Sequence, residues 1–157
     1  MLNKLTHLGK FDLPADLDTW DGYPAARKQF YQVAKNAGLH DLLVLLGVSR
    51  SYWANQLFDD NQLSMGVELG ATGITSPRSL MKLGETAMKH YDELNAKHNK
   101  EIVWADGIHR GFIRLHIDHH GGQANFIAIS NVDSQQYETK TIHSVNIVNN
   151  GNMLHFD

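Results

Sequence analysis

An α+β fold with two main helices and a mixed, largely antiparallel sheet is what this sequence predicts, and three observations carry it. The run LLVLL, Leu42 to Leu46, is continuously apolar without alternation, as expected of a strand packed on both faces. Two stretches, Pro24 to Ala37 and Pro77 to about Lys97, repeat apolar residues at helical spacing. From Glu101 onward the apolar period changes to two, with turn residues between the runs.

In chain order, residues 1–19 carry Pro14 and three aspartates and read as an irregular lead-in. Trp20-Asp21-Gly22-Tyr23 precedes the first helix, where the two aromatics suit packing at the helix entry and Pro24 suits the first turn, in which its missing N–H would be unpaired anyway. Ala26, Phe30, Val33 and Ala37 share one helix face, and Gly38 is placed to stop it. The apolar run follows and ends at Gly47. The loop beyond it, with Ser49, Arg50, Ser51 and Trp53, falls at the carboxyl edge of a sheet, the place where α/β units gather ligand-binding groups.

Ala54 to Phe58 lead into a turn, Asp59-Asp60-Asn61-Gln62, whose adjacent carboxylates read as solvated, because a calcium site needs six or more oxygens gathered from several positions. A strand is expected near Met65 to Leu69. Ser76 as N-cap and Pro77 at the first position open a second helix, with Leu80, Leu83, Ala87, Tyr91 and Leu94 on its apolar face and Lys82, Glu85, Lys89, His90 and Glu93 in solvent. Strands are then expected at Ile102 to Trp104, Phe112 to Ile117, Phe126 to Ile129, Ile142 to Val148 and Met153 to Phe156.

The segment HIDHH, His116 to His120, is the densest set of metal-ligand residue types. On one strand face His116, Asp118 and His120 would suit zinc or iron. The following Gly121-Gly122 instead places His119 and His120 in a hairpin turn, so they are expected to be exposed, and no metal ligand is assigned here. Arg50 leaves two readings open: a guanidinium fork for phosphate or carboxylate, or an ordinary surface residue paired with Glu68 or Glu101. Ser49 and Ser51 lack the order or elbow of a serine nucleophile.

The chain has 157 residues, 42% hydrophobic and 20% charged, which suits one soluble globular domain over 1–157 with a sizeable core. A formal charge of −3 without a Lys/Arg cluster argues against nucleic acid as a partner. The absence of cysteine excludes disulfides and thiolate chemistry. No apolar run has signal-peptide or membrane-span character, so neither a leader nor a membrane is expected for this chain.

Three stretches resemble one family. WDGYPAARKQFYQVAKNAGLHDLLVLLGVSRSYWAN, Trp20 to Asn55, is similar to the late part of alkaline phosphatase D (PhoD-like) metallophosphatases, which read W-D-G-Y-x-x-A-R, then a helix, then a hydrophobic strand ending in G-D-x-H-x-x-W. GVELGATGITSP (66–77) is similar to the family's G-V-E-F segment, and NKEIVWADGIHRGF (Asn99 to Phe112) to its N-P-H segment ending in R-G-[YF]. The departures fall at Val48 and Arg50, where the family has Asp and His, and at Lys100 and Glu101, where it has Pro and His. The resemblance would assign the His at position 50 to the metal site. Valine has no donor atom, and arginine is a permanent cation that a metal repels.

The resemblance implies the carboxyl-terminal half of a four-layer αββα sandwich, here without the metal-ligand half. It implies phosphomono- or diester hydrolysis with iron and calcium in the intact enzyme, and a periplasmic or secreted site of action. For this chain alone it implies a degenerate motif at Val48 and Arg50, no metal bound and no catalysis. The expected partners are a second copy of the chain or an amino-terminal metallophosphatase half. The alternatives are a non-catalytic module holding a phosphate or other anion through Ser49, Arg50 and Trp53, and one half of a two-chain phosphatase completed by a separate chain.

Overall fold

A computed structural model describes residues 20–47, 50–75, 82–151 and 153–157. A short 3-10 turn, Trp20–Gly22, leads into helix α1, Pro24–Asn36. Strands β1 (Leu42–Leu46), β2 (Tyr52–Phe58) and β3 (Ser64–Gly70) precede helix α2 (Glu85–His98). Five strands follow: β4 (Ile102–Asp106), β5 (Gly111–Asp118), β6 (Gly121–Ile129), β7 (Thr139–Asn149) and β8 (Leu154–Phe156). The first four strands form one sheet in the order β1-β3-β2-β4, and the last four form a second, antiparallel sheet in chain order. In the first sheet β1 runs parallel to β3, while β2 is antiparallel to both of its neighbours.

The two sheets face each other across one apolar core. Tyr52, Ala54, Val67 and Leu69 of the first sheet meet Ala124, Phe126, Val145, Ile147 and Leu154 of the second. An aromatic cluster joins them: Phe126 sits edge-on to Tyr52 at 5.5 Å, and Trp104 lies 4.6 Å from Phe126 and stacks on His143 at 4.3 Å. Such ring pairs add about 0.5–1.5 kcal/mol each beyond the area they bury. Burial pushes the His143 imidazole below its ordinary pKa, because the charged form would lose its water. On the other face of the first sheet, Tyr31 and Ala34 of α1 pack on Leu57 and Met65, with Leu42 and Val44 of β1 beside them. The layers are therefore helix, sheet, sheet, and the α+β class stands.

Several local expectations shift. β1 does pack on both faces, with Leu43 toward the inter-sheet core and Leu42 and Val44 toward α1. It is nonetheless the edge of its sheet, and Leu45 is 62% exposed. In α1 the period is right and the phase is wrong by one residue. Tyr31 and Ala34 are buried, whereas Val33 is 63% exposed and Phe30 lies over Trp20 at 6.0 Å. The helix ends as expected, with Gly38 at φ +73°, its N–H donating to Lys35 O at 2.9 Å and the Leu39 N–H donating to Ala34 O at 2.9 Å.

The second helix proper starts only after Gly84, so Lys82 and Leu83 precede it; Ser76, Pro77 and Leu80 lie outside the described residues. Its buried face carries Met88, Asp92 and Asn95 rather than the Leu83 and Ala87 face. The reason lies outside the helix: the Asp92 carboxylate accepts the Gly107 N–H at 2.7 Å, and the Met88 side chain lies against Gly107. Ala54 to Phe58, expected only to lead into the next turn, form with Tyr52 and Trp53 the strand β2, one of the two inner strands of the first sheet. Asp59 is buried, not solvated: it pairs with Lys35 Nζ at 2.7 Å and accepts the N–H groups of Asn61 and Leu63.

Candidate functional site

Because β1 and β3 are parallel, both carboxyl ends fall on one edge of the sheet, where Leu46 lies opposite Gly70 and the Ala71 N–H donates to Leu46 O at 2.8 Å. β2 starts at this edge, with Trp53 opposite Gly70, and β4 ends at it, with Asp106 opposite Tyr52. Residues 50–51 ahead of β2, residues 71–75 after β3 and the turn 106–110 after β4 therefore meet here. This is the placement the apolar strand and its glycine predicted.

Arg50 is exposed, with φ +58°, a left-handed conformation that few non-glycine residues adopt outside tight turns. Among the described residues it makes no ion pair, so neither of the acids proposed from sequence engages it. Glu68 accepts instead from the Asn55 amide at 2.7 Å. Ser51 is fully buried, and Thr72 is buried beside the same edge. Trp53 lies within β2 rather than in the loop, and its side chain rests against Gly70. Val48 and Ser49 lie outside the described residues.

The edge also holds a pair that the sequence reading passed over. Asp106 closes a turn by accepting the backbone N–H groups of Ile108 at 3.0 Å and His109 at 2.7 Å, and its other oxygen lies 2.9 Å from His109 Nδ1. A proton on Nδ1 in that contact leaves Nε2 free to accept. The signal was present as D-x-x-H within ADGIHRG; an aspartate bonding back to the second and third residues after it is a common turn device.

The next residues anchor this edge to the second sheet. Gly111 opens β5 at φ +153°, and a Cβ there would meet Ile127 O at 1.9 Å and the Tyr52 hydroxyl at 2.7 Å. That hydroxyl donates to Ile127 O at 2.7 Å, linking the two sheets. Burial drives the Tyr52 phenol pKa well above its ordinary value, and the nearby Asp106 charge adds to the effect.

HIDHH lies at the far end of β5, about 23 Å of strand from Gly111. His119 and His120 occupy the β5–β6 turn, exposed as expected, and the Asp118 carboxylate accepts the His120 N–H at 2.7 Å, which holds its pKa low. Among the described residues no three His, Asp or Glu side chains are grouped to hold a metal.

A family model described as PhoD-like phosphatase matches residues 1–126. This chain belongs to the PhoD-like phosphatase family. It is 30% identical over 115 residues to alkaline phosphatase D of Bacillus subtilis (strain 168), a match that covers 70% of this chain and 18% of that protein. A solved structure titled as PhoD superposes with a TM-score of 0.69 at 24% identity, covering 88% of this chain and 26% of the other. The chain thus spans roughly a fifth to a quarter of the length of these two PhoD relatives. The PhoD-like match takes in α1, the first sheet, α2 and the start of the second sheet, and so includes the whole edge that carries Arg50 and Asp106.

The described residues at this PhoD-like edge do not fit a metal centre. Position 50 presents a guanidinium, and the Asp106 oxygens already accept three hydrogen bonds. What the edge offers is a fixed cation, an oriented imidazole and exposed loop backbone, groups suited to holding an anion.

Proposed function

We propose that this chain is the carboxyl-terminal portion of a PhoD-like phosphoesterase and that it does not turn over phosphoesters alone. The observation that carries the reading is Arg50, an exposed cation at the carboxyl edge of β1 where the family's motif has His. In the intact enzymes, metal-dependent phosphomono- and diester hydrolysis with iron and calcium is what the resemblance implies. No step through those ions is assigned to this chain, because its donor set does not fit them.

The proposal includes a partner. β1 is a parallel, aliphatic edge strand whose outer side is unpaired among the described residues and whose Leu45 is exposed. Such an edge favours association with another chain. An amino-terminal metallophosphatase half, or a second copy, would cover it. The expected result with an aryl phosphate and added calcium and iron is no turnover by the chain unaided, and turnover when an amino-terminal half is supplied. Turnover by the isolated chain would sink the reading. Light scattering coupled to size exclusion tests self-association, and a clean monomer at all concentrations counts against it.

A second reading is favoured by the lack of any acid paired with Arg50 among the described residues. In this reading the loop retains a phosphate-bearing ligand without hydrolysing it. Calorimetry with inorganic phosphate and a phosphodiester reads this directly, and binding unchanged in Arg50→Ala removes it.

A further inference from the structure

The β7–β8 hairpin lies at the HIDHH end of the second sheet, where the Asn149 N–H donates to His120 O at 3.1 Å. Its turn carries Asn150-Gly151, and no other asparagine in the chain precedes a glycine. Both residues are exposed. Gly151 has φ +103°, and nothing lies within 4 Å of where its Cβ would be, so its backbone is open on that side.

This pairing is reactive. The backbone nitrogen of the glycine can reach the asparagine side-chain carbon by closing a five-membered ring, and glycine has no Cβ to hinder it. The new bond joins the Gly151 nitrogen to Asn150 Cγ. The bond from Cγ to Nδ2 breaks, and the proton lost from the Gly151 nitrogen departs with Nδ2 as ammonia. Water, the only co-reactant, then opens the cyclic imide. Cleavage between the nitrogen and Cγ gives aspartate, and cleavage between the nitrogen and the Asn150 carbonyl carbon gives isoaspartate.

Other asparagines are less able to react. Asn61 and Asn131 precede Gln62 and Val132, whose side chains crowd the attacking nitrogen, and Asn55, Asn95 and Asn99 are buried. Asn150 is restrained only by its neighbour: the Gly151 N–H donates to Asn149 Oδ1 at 3.0 Å, a bond that must be released before the nitrogen attacks.

The consequence falls on β8. This strand has only three residues; Leu154 is buried in the inter-sheet core, and its carbonyl accepts from the Gln56 amide of the first sheet at 3.0 Å. The Asn150 N–H donates to Met153 O at 3.3 Å, next to the Asn149–Leu154 pair that sets the register. Isoaspartate inserts one methylene into the main chain between these anchors, so the turn cannot keep both the β7 pairing and the core contact. We propose that Asn150 is a spontaneous deamidation site restrained by the Asn149 hydrogen bond, and that its isoaspartate product loosens β8 from the first sheet. The site is independent of phosphoester chemistry.

The test is incubation of the full chain at pH 8.5 and 37 °C, followed by peptide mapping with mass spectrometry and by enzymatic methylation of isoaspartate. Asn150 should convert at least ~10-fold faster than Asn61 or Asn131, with isoaspartate in excess of aspartate. Asn149→Ala should speed conversion about 5-fold, the scale of one released hydrogen bond. Asn150→Gln, whose ring closure would need six members, should remove the methylation signal. In the deamidated fraction, separated by ion exchange, amide exchange across Leu154–Phe156 should quicken several-fold relative to Asn150→Asp, which carries the charge without the extra methylene. Conversion spread evenly over several asparagines, or a methylation signal that survives in Asn150→Gln, overturns the site. An Asn149→Ala chain that converts no faster overturns the restraint. Exchange no faster than in Asn150→Asp overturns the effect on β8.

Discussion

Tyr52→Phe isolates a hydroxyl that links the two sheets beside the Arg50 edge. Tyr52 is fully buried, and its hydroxyl donates to Ile127 O at 2.7 Å. Phenylalanine keeps the edge-on packing on Phe126 but leaves that carbonyl without this donor. The expected cost at pH 7 is about 1.5 kcal/mol, the scale of a buried hydrogen bond whose acceptor stays behind. For a chain of this size that is about 3–6 °C in Tm.

The pH dependence supplies a second, sharper readout. Tyr52 has a raised pKa in the folded protein, while the unfolded phenol titrates near its ordinary value of 10.0. The folded state therefore binds more protons above pH 10, and the stability from Tyr52 is present below that pH and lost as pH rises toward the folded value. At pH 11 the unfolded state gains about RT ln(1 + 10), or ~1.4 kcal/mol, from ionising this one side chain. Tyr52→Phe escapes that loss, so the stability gap between the two proteins should close almost completely between pH 7 and pH 11. Urea unfolding at 25 °C, followed by tryptophan fluorescence at both pH values, measures it. A gap that stays constant, or one below about 0.3 kcal/mol at pH 7, refutes the reasoning.

Gly111→Ala should cost about 3 kcal/mol or more, or prevent folding, because its Cβ would lie 1.9 Å from Ile127 O; soluble yield and urea midpoint report it. Asp59→Asn should cost about 2 kcal/mol at pH 7. Burial raises the Asp59 pKa, but the Lys35 hydrogen bond and the N–H groups of Leu63 and Asn61 outweigh it and leave the carboxyl below its ordinary range. Its contribution is present above the unfolded pKa and lost as pH falls through the folded one, so the variant's deficit should shrink in urea melts below pH 4. His143→Phe should reduce the loss of stability on acidification from pH 7 to pH 5: burial lowers the folded His143 pKa, so the unfolded state takes up a proton first as pH falls past 6.5. Thermal melts across that range read the difference.

The helices show what one-dimensional patterning can and cannot give. The existence and approximate extent of α1, its Pro24 start and its Gly38 stop were all legible, because each follows from backbone chemistry within a few residues. Which face turns inward was not. Phe30 and Val33 are more apolar than Ala34, yet Tyr31 and Ala34 meet the sheet, and Phe30 finds Trp20 instead. In α2 the inward face includes Asp92 and Asn95, which no apolar period would select, because the Asp92 partner is a backbone N–H from another element. Arg50 was placed on the correct edge by the strand before it, whereas Asp106 and His109 were overlooked because their pairing is created by a turn.

By itself the sequence determined the α+β class, the order of most elements, the hairpin after β5 and the edge on which Arg50 stands, since period, turn residues and breakers act locally. Only the tertiary structure decided that β2 is a central strand, that Tyr52 ties one sheet to the other, and that Glu68 lies buried on the Asn55 amide. Those depend on contacts between residues far apart in the chain, such as the 75 positions that separate Tyr52 from Ile127. A residue's charge and shape are written in the sequence, but the groups that answer them are chosen by how the layers close.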